Sequence, residues 1–248
     1  MKIPEFARAC AIAGIALLGI NGSAGAETET ADNAPLLILG VQGSSASSYS
    51  YAGVIKPMAG ATLGQGWFSQ VMASWLTYRY QSTDQNNASV EVHGTAPAIE
   101  AGVGYGWKTD QLSTTLSGMA GYRHIRRSPN IGSGSPQGGV ATFTPQLQMS
   151  YSLSKSTRAE LATSYTFGEK NFFSRVRAHT ALNESGLRAG VEAAYLRGPD
   201  YRSQQGGLFV TTSVAPGIGL ILDVGIARDQ NAKKSFYAGI SLARSFGR

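Results

Sequence analysis

The chain has 248 residues, of which only 15% are charged, and its formal net charge is +6. Globular proteins average about 25% charged residues and about 7% glycine, whereas this chain has 31 glycines and a single cysteine. One cysteine excludes a disulfide scaffold, and a hydrophobic content of 42% excludes a disordered chain. Basic residues never run longer than two, which argues against a nucleic-acid-binding protein.

The first 26 residues have the three parts of a secretory signal peptide. Lys2 and Arg8 supply the positive charge, the apolar stretch Ala9–Ile20 follows, and the small residues Ala24–Ala26 end the segment. The alternative is a helix that anchors the chain in a membrane. Such a helix needs about 20 apolar residues, and this stretch has twelve. We therefore predict a signal peptide at residues 1–26.

The predicted cleavage site defines the mature chain. We expect cleavage before Glu27, which removes Cys10 and leaves a mature chain without cysteine. A short polar segment, residues 27–34, then leads into one domain at residues 35–248.

Apolar residues alternate with small or polar ones through most of that domain. Between Ala98 and Trp107 the odd positions are apolar, and between Ile218 and Ile226 every even position is Ile, Leu or Val. A period of two predicts β-strands with one apolar face. Turn signals separate about twelve strands, near residues 35–43, 47–58, 66–81, 97–107, 112–124, 139–153, 157–167, 172–182, 186–197, 206–215, 217–228 and 234–246.

Two of these strands depart from the pattern. The segment 66–81 has apolar residues on both faces, so it is either bulged or packed against something inside the fold. Pro145 lies within an otherwise regular strand, where it cannot donate a hydrogen bond to the sheet.

The second face of the strands decides the fold class. It carries mainly Gly, Ser, Thr, Gln and Ala, where a sheet facing bulk water would carry Lys and Glu. This composition is typical of the lumen of a small barrel whose outer face meets lipid. We predict an all-β, antiparallel outer-membrane-type β-barrel of about twelve strands, with a periplasmic β-sandwich as the alternative.

The barrel prediction includes an orientation. If both termini are periplasmic, inner turns should be short and outer loops long; the longest outer loops would be residues 82–96 and 125–138. Aromatic residues at lipid-facing positions near strand ends are expected to form interfacial girdles. They are Tyr105, Trp107, Tyr151, Tyr165, Phe167, Phe172 and Tyr195.

The seventh to ninth predicted strands carry a polar track on their lumen-facing positions. Its members are Arg158, Glu160, Arg175, Arg177, His179, Arg188 and Glu192. Folding the hairpins about their turns places Arg177 opposite Glu192 and His179 opposite Glu160. These pairs either brace the barrel wall or bind sugar hydroxyls and anionic groups that pass through the lumen.

A second cationic group begins the predicted outer loop that ends at Gly138. It consists of Arg123, His124, Arg126 and Arg127. The group is expected either to contact anionic lipopolysaccharide or to be a solvated loop.

The sequence favours a non-catalytic protein. A hydrolase needs a serine within reach of an oriented histidine, and His93, His124 and His179 have no serine at a convincing spacing. A lipid A deacylase-like hydrolase that uses His124 is the alternative. Gly102 and its neighbouring glycines are interpreted as small residues on the lumen face. No cofactor is expected, and without clustered cysteine or histidine no metal site is expected.

Short segments across most of the domain are similar to those of the bacterial cellulose biosynthesis protein BcsS family. They are Tyr49–Pro57, Trp75–Tyr80, Ala101–Trp107, Gly118–Arg123 and Gly198–Gly207. The resemblance implies a role in the synthesis or export of cellulose or a related exopolysaccharide, with cellulose secretion components as partners. It carries over no catalytic residues.

Several roles fit such a barrel. In the outer membrane, in contact with its lipid and lipopolysaccharide, the protein would be a scaffold or a narrow pore. A barrel of this kind would also serve as a general small-solute porin or as a surface-adhesion protein.

Overall fold

The computed structural model describes residues 33–83, 88–130, 136–199, 202–229 and 234–246. The predicted signal peptide and most of the polar segment lie outside these residues. Within the described ranges, no helix is long and apolar enough to cross a membrane. The strands are β1 (Leu36–Ser44), β2 (Ser47–Pro57), β3 (Gly66–Thr83), β4 (Ser89–Lys108), β5 (Leu112–Ser128), β6 (Gly138–Ser152), β7 (Thr157–Thr166), β8 (Asn171–Ala181), β9 (Arg188–Arg197), β10 (Arg202–Ala215), β11 (Ile218–Asp229) and β12 (Lys234–Ser245).

These twelve strands form one closed antiparallel barrel. Each strand pairs with the next along the chain, and β1 pairs with β12 to close the sheet, with Leu39 opposite Leu242. Closure satisfies the backbone hydrogen-bonding groups that an edge strand would leave unpaired. The predicted fold class is therefore confirmed.

The wall is higher on one side than the sequence predicted. β3, β4 and β5 have 18, 20 and 17 residues, whereas β1 has 9 and β7 has 10. β3 and β4 stay paired up to Thr83 opposite Ser89. The predicted outer loops at 82–96 and 125–138 were therefore wrong in extent, because residues 89–96 and 125–128 belong to strands. The inward side chains Tyr80 and Val92 are buried there, and this packing holds a segment whose polar composition indicated a loop.

β3 owes its two apolar faces to a packed interior. Trp67, Val71 and Trp75 face outward and are exposed, while Met72 and Leu76 face inward and are buried. Its ladders with β2 and β4 run without a register shift, so the strand is not bulged. Internal packing is the predicted alternative that the structure confirms.

Pro145 interrupts the pairing of β6 with β7, because proline has no backbone N–H to donate to the neighbouring strand. The ladder between β6 and β7 ends at Gln146 opposite Ser164, and an isolated bridge joins Phe143 to Phe167 beyond it. The proline thus costs one stretch of pairing without displacing the strand.

An apolar cluster fills the half of the interior that β1–β5 enclose. Its buried members include Leu36, Ile38, Tyr49, Tyr51, Met72, Leu76, Tyr78, Tyr80, Val92, Met119 and Ile125. Tyr78 can lie flat against β4 only because Gly94 has no side chain, since a Cβ atom there would be 2.1 Å from the Tyr78 ring. The other half of the interior, enclosed mainly by β6–β12, is mainly polar, with a small apolar cluster of Ala162, Phe173 and Leu196.

Candidate functional site

The polar half of the interior centres on an ion pair between adjacent strands. Arg177 of β8 lies opposite Glu192 of β9, as predicted. Its Nη2 and Nε atoms are 2.7 Å and 2.8 Å from the same carboxylate oxygen, Oε2. The Tyr237 hydroxyl donates to the other oxygen, Oε1, at 2.8 Å. The buried carboxylate therefore has a partner on each oxygen, which offsets its loss of hydration.

An aromatic ring joins this pair to a second one. The Arg177 guanidinium lies 4.6 Å from the centre of the Phe209 ring, which His179 contacts edge-on at 5.7 Å. His179 Nε2 is 3.3 Å from Glu160 Oε1. The predicted register of this second pair was wrong by two residues, because His179 lies opposite Arg158 and its imidazole reaches Glu160 diagonally.

The seven predicted track residues differ in burial. Glu160, Arg175, Arg177, His179 and Glu192 are buried together in the interior. Arg158 and Arg188 lie half-buried near the end of the barrel that carries the termini, where Arg188 Nη1 donates to the Ser156 carbonyl at 3.4 Å.

Two further contacts extend the network across the seam where the barrel closes. Gln42 Nε2 of β1 donates to Asp223 Oδ1 of β11 at 3.0 Å, and the Tyr51 hydroxyl donates to Ser241 Oγ at 3.0 Å. The partners are 181 and 190 residues apart in sequence. The period-two pattern placed Asp223 on the lumen face, but only closure of the barrel identifies its partner.

A second polar group lies higher in the barrel. Arg123 Nε of β5 is 2.6 Å from Glu169 Oε1, and Asn171 Nδ2 donates to Glu169 Oε2 at 2.6 Å. Glu169 lies in the turn between β7 and β8, and burial raises its carboxyl pKa above the ordinary value although the Arg123 charge opposes this shift. Below it, Glu100 Oε1 accepts a hydrogen bond from Thr144 Oγ1 at 3.0 Å.

The predicted cationic outer loop is wrong as a loop, and two of its four residues are buried inside the barrel. All four residues lie in β5 rather than in a loop, and Arg123 is only 3% exposed inside the barrel. Arg127 is also buried, and its Nη2 donates to the Pro136 carbonyl at 3.4 Å. His124 and Arg126 alternate with them and face outward. The strand alternation simply continues past the predicted strand end, so odd-numbered positions keep facing inward.

A histidine and two glycines of β4 also stand out in the sequence. His93 faces outward on the tall hairpin, where its Nε2 is 3.1 Å from Glu91 Oε1. Gly104 and Gly106 are buried on the lumen face of β4, in agreement with the sequence interpretation. In the part of the chain that the structure describes, no group of three or more His, Cys, Asp or Glu residues could hold a metal ion.

Many inward-facing side chains are packed against one another inside the barrel. A water-filled channel leaves inward side chains accessible to solvent, yet the most completely buried ones here are less than 2% exposed. They come from both halves of the interior: Ile38, Leu76, Val92, Met119, Thr144 and Leu196. The arrangement is that of a braced, packed core. A twelve-stranded barrel is narrow enough for bulky inward side chains to form such a core.

The barrel matches the model of a known protein family. The family model described as cellulose biosynthesis protein BcsS matches residues 36–246, which is nearly all of the barrel. No curated protein matches the chain significantly.

Solved structures with a similar fold are outer-membrane barrels. The NanC porin has a TM-score of 0.52 at 11% identity, with 85% of this chain and 98% of that chain covered. The COG4313 outer membrane channel from Pseudomonas putida F1 has a TM-score of 0.51 at 11% identity, with 89% and 99% covered. The KdgM porin has a TM-score of 0.50 at 11% identity, with 85% and 99% covered. At such identities the likeness shows the fold alone.

Proposed function

The chain belongs to the cellulose biosynthesis protein BcsS family, and on that premise we propose that it supports the biosynthesis or export of cellulose or a related exopolysaccharide as a closed scaffold in the outer membrane. The observation that carries this proposal is the filled interior. Side chains of non-adjacent strands meet inside the barrel, as where the Tyr237 hydroxyl of β12 donates to Glu192 of β9 at 2.8 Å, and Met119 and Thr144 are wholly inaccessible to solvent.

A glucan pore would need a different lumen. A neutral polysaccharide can leave water only where polar groups and aromatic faces replace its hydrogen bonds along an open path. Here the inward tyrosines Tyr49 and Tyr51 are buried, and the Tyr51 hydroxyl already donates to Ser241. The aromatic and polar groups are thus engaged with the protein, which supports the scaffold over the narrow pore.

The charged interior network fits a bracing role. Glu192 of β9 accepts hydrogen bonds from Arg177 of β8 and from Tyr237 of β12. Contacts of this kind tie non-adjacent strands together and fix the shape of the wall. We therefore assign these residues to the support of the barrel rather than to a substrate track.

A non-catalytic role is part of the proposal. The imidazole of His179 contacts Glu160 and the Phe209 ring, while His124 faces outward from β5. Export by the signal peptide at residues 1–26, and work alongside cellulose secretion components, also belong to it.

Complementation of cells that lack the protein tests the proposal. A paired variant, Arg177→Met with Glu192→Gln, removes the central lumenal ion pair, keeps similar volume and leaves an acceptor for the Tyr237 hydroxyl. We expect secreted exopolysaccharide to fall on deletion and to return equally with wild type and the paired variant. Loss of secretion by a folded, membrane-inserted paired variant would show that a charged lumenal path is needed, and unchanged secretion on deletion would contradict the role itself.

A further inference from the structure

Four cations lie together on the lipid-facing side of β9–β12, near the end of the barrel opposite the termini. Arg197 of β9 is the direct cross-strand neighbour of Arg202 of β10, and Arg228 of β11 is that of Lys234 of β12. All four side chains are exposed. Like charges placed directly opposite each other destabilise a sheet. None of the four forms an ion pair with any carboxylate whose position the structure describes.

An apolar depression lies immediately below these cations. Gly206, Ile226 and Phe236 form a cross-strand row two residues below the row of Arg228 and Lys234, a step of about 7 Å along the strands. Phe236 is 81% exposed, the highest exposure among the large hydrophobic side chains described. Gly206 leaves a gap in the wall, since an added Cβ atom would have its nearest neighbour at 3.9 Å. The depression is open to the outside and has a volume of about 760 Å³.

Aromatic side chains mark the level of this surface relative to the membrane. Tyr165, Phe172 and Tyr195 face outward on β7–β9, and the Arg202 guanidinium lies 5.5 Å from the centre of the Tyr195 ring. Tyrosine and other aromatic girdles lie where hydrocarbon meets headgroups. The cations are therefore at headgroup height, and the depression faces the upper part of the acyl chains.

We propose that this surface binds a diphosphorylated, multiply acylated glycolipid of the lipid A kind in the outer leaflet. Its phosphates would contact the two pairs of cations, because an arginine guanidinium can donate two parallel hydrogen bonds to a phosphate. One acyl chain would occupy the depression at Gly206. The phosphates of the ligand, rather than carboxylates of the protein, would then offset the repulsion between the like charges. The inference rests on the proposed membrane location with the termini periplasmic, and it is independent of the role in exopolysaccharide export.

Native mass spectrometry of the purified, full-length mature barrel in detergent tests this site. The probes are diphosphoryl lipid A, monophosphoryl lipid A, phosphatidylglycerol and inorganic phosphate. Two double variants, Arg197→Gln with Arg202→Gln and Arg228→Gln with Lys234→Gln, remove the cations. Gly206→Leu fills the depression, where the backbone leaves room for a side chain. Arg244→Gln is the matched control, because Arg244 also lies over an aromatic ring, 5.0 Å from the centre of Phe246, but at the opposite end of the barrel.

We expect wild type and Arg244→Gln to retain diphosphoryl lipid A, and each double variant to bind it at least roughly tenfold more weakly, as the loss of charge-assisted hydrogen bonds implies. Gly206→Leu should weaken the glycolipid without changing the binding of inorganic phosphate. Equal retention by wild type and both double variants would overturn the proposal. So would equal binding of phosphatidylglycerol, which would reveal a site for anionic lipid in general. Heat-modifiable electrophoretic mobility verifies that every variant is folded, and a normal secretion phenotype with failed lipid binding would refute this inference alone.

Discussion

Replacing Arg177 by alanine is expected to lower the free energy of unfolding by about 3–5 kcal/mol, the usual effect of removing one partner of a buried ion pair. The loss arises because Glu192 keeps its charge in the interior after its two contacts with the guanidinium, at 2.7 Å and 2.8 Å, have gone. The Phe209 ring also loses the cation that covers it. Urea titration in detergent micelles, followed by tryptophan fluorescence, measures the change.

The paired variant of Arg177→Met with Glu192→Gln is the control for that measurement. It removes both charges together, so it should unfold within about 1 kcal/mol of wild type, as replacement of a whole buried pair often does. If Arg177→Ala were as stable as the paired variant, the ion pair would not brace the wall and the case for a substrate track would strengthen.

Replacing Leu76 by alanine is expected to cost about 2–5 kcal/mol, the range for a leucine deleted from a packed core. Leu76 is only 1% exposed and belongs to the apolar cluster of β1–β5. The same urea titration measures the loss. Leu76→Met is the matched control, because a swap that conserves volume in a core usually costs less than about 1.5 kcal/mol.

The Leu76 pair of variants separates a core from a channel lining. In an open lumen, water would fill the space that the shorter alanine side chain leaves, so no empty cavity would form. The two variants would then differ little in their free energy of unfolding. Equal stabilities of Leu76→Ala and Leu76→Met would therefore contradict the filled interior.

Most of the fold could be predicted because a barrel strand must alternate between lipid and lumen. The lipid-facing positions of β11, such as Leu222 and Val224, are exposed and apolar, while Asp223 between them is buried. The ends of strands were harder to predict. Residues 89–96 have the composition of a loop, and the burial of Val92 beside Tyr80 in the apolar cluster of β1–β5 explains why they form strand.

Contacts between neighbours in a hairpin could also be predicted. Arg177 and Glu192 meet because one turn fixes their register. The pairing of Arg123 with Glu169 could not be predicted, because it joins β5 to the turn between β7 and β8, which are not neighbours of β5. The group of lipid-facing cations could not be predicted for a similar reason, since Arg202 and Arg228 come together only through the register of β9–β12.

Permeability of the purified barrel tests the closed scaffold most directly. Liposomes that contain the protein are placed in solutions of glucose and of cello-oligosaccharides of increasing length, and their swelling is compared with protein-free liposomes and with liposomes that contain a known porin. The complete burial of inward side chains such as Met119, Thr144 and Leu196 predicts swelling no faster than in the protein-free liposomes. Swelling that is clearly faster, and that slows as the oligosaccharide lengthens, would demonstrate an open pore and contradict the scaffold.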